Sequence, residues 1–118
     1  MKEMNHISCN GNTVDINGNI IRFEHDVLET MEIDEHIIVL TEPKKGCLDN
    51  VYGISVVTGQ TTWNIQDATE IYPQFLRSPY VAIRFTNEQK LLVTDFSGCR
   101  FIVNPLNGKI LERTSSVK

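Results

Sequence analysis

Along most of this chain apolar and polar residues alternate with a period of two, the pattern of strands with one face in a core and one in water. Ile21, Phe23 and His25 oppose Ile20, Arg22 and Glu24, and Ile37 and Val39 oppose His36 and Ile38. Val81, Ile83 and Phe85 oppose Tyr80, Ala82 and Arg84. Turn pairs punctuate these runs: Asn10-Gly11, Asn17-Gly18, Asp34-Glu35, Thr58-Gly59, Asn87-Glu88, Ser97-Gly98 and Asn107-Gly108. Asn-Gly accepts positive φ at both central positions of a two-residue hairpin, whose twist then matches its strands. Strands are predicted over 6–9, 13–17, 19–24, 27–33, 36–42, 50–57, 60–65, 80–86, 90–96, 99–105 and 108–114. With no long helical period, the chain reads as one all-β domain over 1–118, an antiparallel meander.

Two segments depart from the alternation. Gln66 to Pro79 (QDATEIYPQFLRSP) opens with Asp67 as an N-cap and meets Pro73, predicting a single helical turn near 67–72 and then a loop. Glu42 to Asn50 (EPKKGCLDN) is polar and reads as a mobile surface loop. The expected core is Ile21, Phe23, Ile37, Val39, Ile54, Trp63, Val81, Ile83, Phe85, Val93, Phe101, Val103 and Leu111.

The chain also repeats itself. At an offset of 49, Tyr52, Ile54, Ser55, Thr58 and Gly59 fall on Phe101, Val103, Asn104, Asn107 and Gly108. Ile37 to Leu40 falls on Leu91 to Thr94 at an offset of 54, the difference lying in the 42–50 loop. Val14 to Ile20 is a fainter third copy. Repeats of about 40–50 residues with some four strands each are the signature of propeller blades. GISVVTGQTTW, Gly53 to Trp63, resembles the blade signature of quinoprotein-type β-propellers: a small, an aliphatic and a polar residue before a Thr-Gly turn, and a tryptophan four residues after that glycine. The second copy carries Asn107 for the Thr and Glu112 where the tryptophan falls. The resemblance covers about 36–113, in blade-like units of about 36–65 and 80–113. It implies that Trp63 docks in the core against a neighbouring sheet rather than on a quinone. A closed propeller needs about four blades or more, so these units imply a partial barrel, a sandwich or a half-propeller. An open sheet edge must then be covered by a copy of the chain, by a partner, or by the chain's own curl.

Composition narrows the class. The chain is 41% hydrophobic and 22% charged, as in soluble globular proteins. No apolar run reaches the ~20 residues of a membrane-spanning helix. MKEMNHISCNGN lacks the apolar stretch of a secretory signal. Cys9, Cys47 and Cys99 are odd in number and widely spaced, which favours a reducing cytoplasm over a disulfide framework. A zinc site would need residues such as His6, Cys9 and His25 to converge without paired spacing, so the reading includes no metal and no cofactor.

The chemical motifs are weak. TDFSGC around Ser97 resembles a kinase D-F-G only superficially, and there is no G-x-S-x-G, H-E-x-x-H or phosphate loop. Cys99, with His25 or His36 as base, could form a nucleophile, but period two places it on the core side with Phe101 and Val103. Arg84, Arg100 and Arg113 near Tyr80, Phe85 and Phe101 loosely resemble an aromatic-basic sheet, yet a pI of about 5.3 disfavours nucleic acid.

Charge is the more telling feature. The net −4 divides into −6 over residues 1–59, where ten acids meet four bases, and +2 over 60–118. Glu24 to Glu35 (EHDVLETMEIDE) holds Glu24, Asp26, Glu29, Glu32, Asp34 and Glu35 and no Lys or Arg. A compact acidic surface suits a basic partner through opposed potentials. In size, charge and lack of chemistry the chain is similar to bacterial toxin-neutralising immunity proteins. The expectation is a non-enzymatic, cytoplasmic module that binds a basic protein through these six acids. Two rivals stand beside it: a ligand-binding or enzymatic β-domain with a pocket lined by Tyr52, Trp63, Tyr72 or Tyr80, and a subunit or fragment of a larger propeller-like assembly.

Overall fold

A computed structural model describes residues 5–114. The chain is all-β and antiparallel, with eleven strands and one short 3-10 turn among the described residues. The strands are β1 Ile7–Asn10, β2 Thr13–Ile16, β3 Asn19–Arg22, β4 Val27–Ile33, β5 His36–Thr41, β6 Val51–Ser55, β7 Gln60–Asn64, β8 Tyr80–Phe85, β9 Leu91–Asp95, β10 Arg100–Val103 and β11 Ile110–Thr114. They form three meanders, β1-β2-β3, β4-β5-β6-β7 and β8-β9-β10-β11, and among the described residues no sheet closes into a barrel. The units 36–65 and 80–113 fall in the second and third sheets, and the faint copy at 14–20 in the first. Among the described residues no helix is long and apolar enough to cross a membrane.

The second sheet lies between the other two. On one side Ile37, Val39 and Ile54 pack against Val14, Ile16 and Phe23. On the other Ile38, Leu40, Val51 and Trp63 pack against Ile83, Leu91, Val93, Phe101 and Val103. Strand β5 is therefore buried on both faces. The expectation of a half-exposed strand with Ile38 opposite the core fails there, because the continuous apolar run HIIVLT suits a central strand between two layers.

Two further core assignments are corrected. Val81 and Leu111 are exposed, at 37% and 50%, while Tyr80 and Ile110 are buried. In each case a β-bulge inserts one residue, between Tyr80 and Ala82 and opposite Ile102/Val103, and shifts the alternation by one. Ile21 and Phe85 are half-buried against the two cores, and the remaining expected core residues are buried.

Side chains tie the sheets together. Trp63 of β7 donates its indole N–H to the Pro105 carbonyl in the β10–β11 turn, at 3.0 Å. Asn50, fully buried at the end of the 42–50 loop, donates to the Thr41 and Tyr80 carbonyls at 2.9 and 2.8 Å and accepts from the Tyr80 N–H at 2.8 Å. That loop is thus anchored where the sequence reads as mobile. The 3-10 turn Ala68–Glu70 is capped by Asp67, and Tyr72 and Phe75 after it pack on Phe101.

Candidate functional site

Strand β4 pairs with β5 and, among the described residues, with no other strand, so its outer side is a free edge of the middle sheet. The acidic stretch of the sequence is this edge. The register sets Ile33 opposite His36 and Glu32 opposite Ile37 around the Asp34-Glu35 turn, where Asp34 takes a φ of +51°. Leu28 forms a bulge between the Val27–Thr41 and Glu29–Leu40 pairs and is exposed.

All six carboxylates are exposed. They do not share one face. Glu32 pairs with Ile37 and so points to the side of the first sheet, whereas Glu29 pairs with Leu40 on the side of the third. Glu24 and Asp26 precede the strand and Asp34 and Glu35 follow it, so the acids flank the edge along its length. The strand rise sets Asp26 and Asp34 about 26 Å apart along it. Glu42 stands beside Asp26, whose carbonyl accepts the Glu42 N–H at 2.8 Å.

None of the six is in an ion pair among the described residues; the cations go elsewhere. Lys44 meets Glu42 at 3.0 Å and holds that carboxyl below its ordinary range. Arg77 pairs with Asp49 and, at 3.2 Å, with Asp67. Glu32 accepts a hydrogen bond from the Asn5 amide at 2.6 Å, which leaves its charge in place.

The other candidate groups disperse. Trp63 and Tyr80 fill the core between the second and third sheets with Tyr72 packed against it, while Tyr52 packs on Phe23 in the other core, so the four aromatics do not converge on one cavity. Arg84 and Arg100 lie on the outer face of the third sheet and Phe101 on its inner face; Arg113 sits over Phe75, 5.2 Å from the ring centre. Among the described residues, Arg84, Arg100 and Arg113 therefore do not share one face with Tyr80, Phe85 and Phe101. The Cys99 thiol meets the Ser97 hydroxyl at 3.7 Å and the Arg113 guanidinium at 3.5 Å. His6, Cys9 and His25 do not cluster; His25 instead meets Glu24 and Cys47, a grouping that no linear spacing announced.

Residues 4–115 match a family described as a domain of unknown function, DUF7957. The chain belongs to this family. Among solved structures, the computationally designed Ika4 protein is similar over 98% of this chain and 69% of its own, at a TM-score of 0.67 and 13% identity. The computationally designed Ika8 protein is similar over 97% of this chain, at 0.65 and 13% identity, and the chain spans 34% of its length. At such identities the likeness is one of fold alone. No curated protein matches the chain.

Proposed function

We propose that this member of the family is a non-enzymatic protein-binding module that takes up a basic partner along β4 and neutralises it by occupancy, in the manner of an immunity protein. One observation carries the reading: the densest run of acid in the chain, without an ion-pair partner among the described residues, coincides with a free edge of the middle sheet, that of β4. A free edge offers unpaired backbone groups to an incoming strand. Acids along it repel a second copy of the same edge and attract a cationic segment, so charge selects the partner while the backbone supplies directional bonds.

Paired pull-downs from native lysate test it, using the wild-type chain and a variant with Glu29→Lys, Glu32→Gln, Asp34→Lys and Glu35→Gln. The expected result is a basic protein retained by the wild type and lost by the folded variant. Capture of the same proteins by both baits overturns the acidic edge as the binding surface.

A further inference from the structure

We infer that Glu24, His25 and Cys47 form a binding site for a zinc ion. The carboxylate, imidazole and thiol donors lie within 4.8 Å of one another. They come from two connections, Glu24 and His25 between β3 and β4 and Cys47 between β5 and β6. The backbone holds both in place. The Glu42 N–H donates to the Asp26 carbonyl at 2.8 Å, joining the two connections, and the Val27 N–H donates to Gly11 at 2.9 Å. Cys47 is fixed by a small hairpin of its own, bridged to Lys44, with its N–H on the Lys44 carbonyl at 3.0 Å and Gly46 at a φ of +88°.

The donor set selects the metal class. Thiolate and imidazole together disfavour magnesium and calcium, which take oxygen ligands, and favour zinc. Three protein ligands with a fourth position left to water is a common zinc arrangement. Zinc bonds of about 2.0–2.3 Å set tetrahedral donors about 3.3–3.8 Å apart, so side-chain rotation has to close about 1 Å. His25 and Cys47 are half-buried and Glu24 is exposed, which leaves an entry path. Bound zinc would clasp the two connections at the start of β4.

Cobalt(II) titrated into the purified full chain, in place of spectroscopically silent zinc, reads the site directly. One equivalent is expected to raise a thiolate-to-cobalt charge-transfer band, and zinc to bleach it. The band is expected to vanish in Cys47→Ser, to persist in Cys9→Ser and Cys99→Ser, and to need more than roughly tenfold higher cobalt in His25→Ala, since even outer partners are worth that much. Trp63 fluorescence checks that each variant is folded. Independently of any variant, zinc is expected to slow alkylation of Cys47 in the wild-type chain while leaving the exposed Cys9 unchanged. No band at saturating cobalt, a band that survives Cys47→Ser, or Cys47 alkylation indifferent to zinc overturns the inference. Glu24 belongs both to this site and to the acidic row, but the variants and alkylation readouts here touch only His25 and the cysteines, so failure here leaves the partner reading untouched.

Discussion

Trp63 and Pro105, 42 positions apart, are joined by a hydrogen bond from the indole N–H to the proline carbonyl. The bond belongs to a packing relation that recurs with the repeated hairpin. Each four-stranded sheet turns on a glycine with positive φ, Gly59 in the second and Gly108 in the third, and the preceding sheet supplies a side chain that packs beneath that turn. Asn19 of the first sheet lies against Gly59, and Trp63 of the second against Gly108. In the third sheet the position equivalent to Trp63 is Glu112, which is exposed; no further sheet among the described residues needs an anchor there. Removing a buried aromatic of this size costs about 3–5 kcal/mol, so Trp63→Ala is expected to lower unfolding free energy by that amount in a urea melt. A loss below about 1 kcal/mol contradicts the anchoring role.

The glycines under the indole give a sharper test. A methyl group at Gly53, whose φ is ordinary, or at Gly108 would overlap the Trp63 ring. Gly53→Ala therefore carries a purely steric penalty, and Gly108→Ala adds left-handed backbone strain. Overpacking of a fixed core costs about 1–3 kcal/mol. Both variants are expected to melt earlier than wild type, and Gly108→Ala earlier than Gly53→Ala. A methyl at Gly18, which meets nothing within 4 Å, lacks the steric component.

Asn50 is expected to matter as much as a core hydrophobe. It satisfies two carbonyls and one N–H at Thr41 and Tyr80, linking the second sheet to the third. Asn50→Ala strands those buried groups, each at about 1–3 kcal/mol. A total loss of at least about 3 kcal/mol by urea denaturation is expected; a loss within about 0.5 kcal/mol, the range of an ordinary surface substitution, contradicts it.

Acid weakens one cap in a predictable direction. Asp67 accepts from the Thr69 hydroxyl and N–H, at 2.7 and 2.8 Å, and these bonds, with Arg77, hold its carboxyl below the ordinary value. A depressed folded value means the stabilisation is complete above the unfolded pKa of about 3.9 and fades as pH falls through the folded one. Asp67→Ala is expected to cost about 1 kcal/mol at neutral pH. The gap to wild type should narrow below about pH 4. Urea melts at neutral and acidic pH check both; a gap independent of pH contradicts the charged cap.

Much of this fold is legible locally. Asn17-Gly18 and Asn107-Gly108 mark hairpin turns by their chemistry, and period two places the strands between them. What escapes local reading is non-local. The bulges at Val81 and Leu111 reverse the faces of single residues without any apolar signal. Whether β5 has one buried face or two depends on a third layer of chain arriving from residues 80–114. The acidic row is visible in the sequence, but that it lies on an unpaired edge follows from the strand order. His25 and Cys47, 22 residues apart, meet only because their two connections are hydrogen-bonded through Asp26 and Glu42.

An acidic edge at β4 that steers a basic partner acts on the rate of encounter. The most direct measurement is the association rate of the recovered partner with the wild-type chain and with the folded variant carrying Glu29→Lys, Glu32→Gln, Asp34→Lys and Glu35→Gln, at low and at raised salt. Steering of this kind accelerates encounter by about 10–1,000-fold and is screened by ions. The expected result is a wild-type rate that falls steeply with salt and a variant rate at least about tenfold lower at low salt. Equal rates at low salt, with both proteins folded, would contradict it.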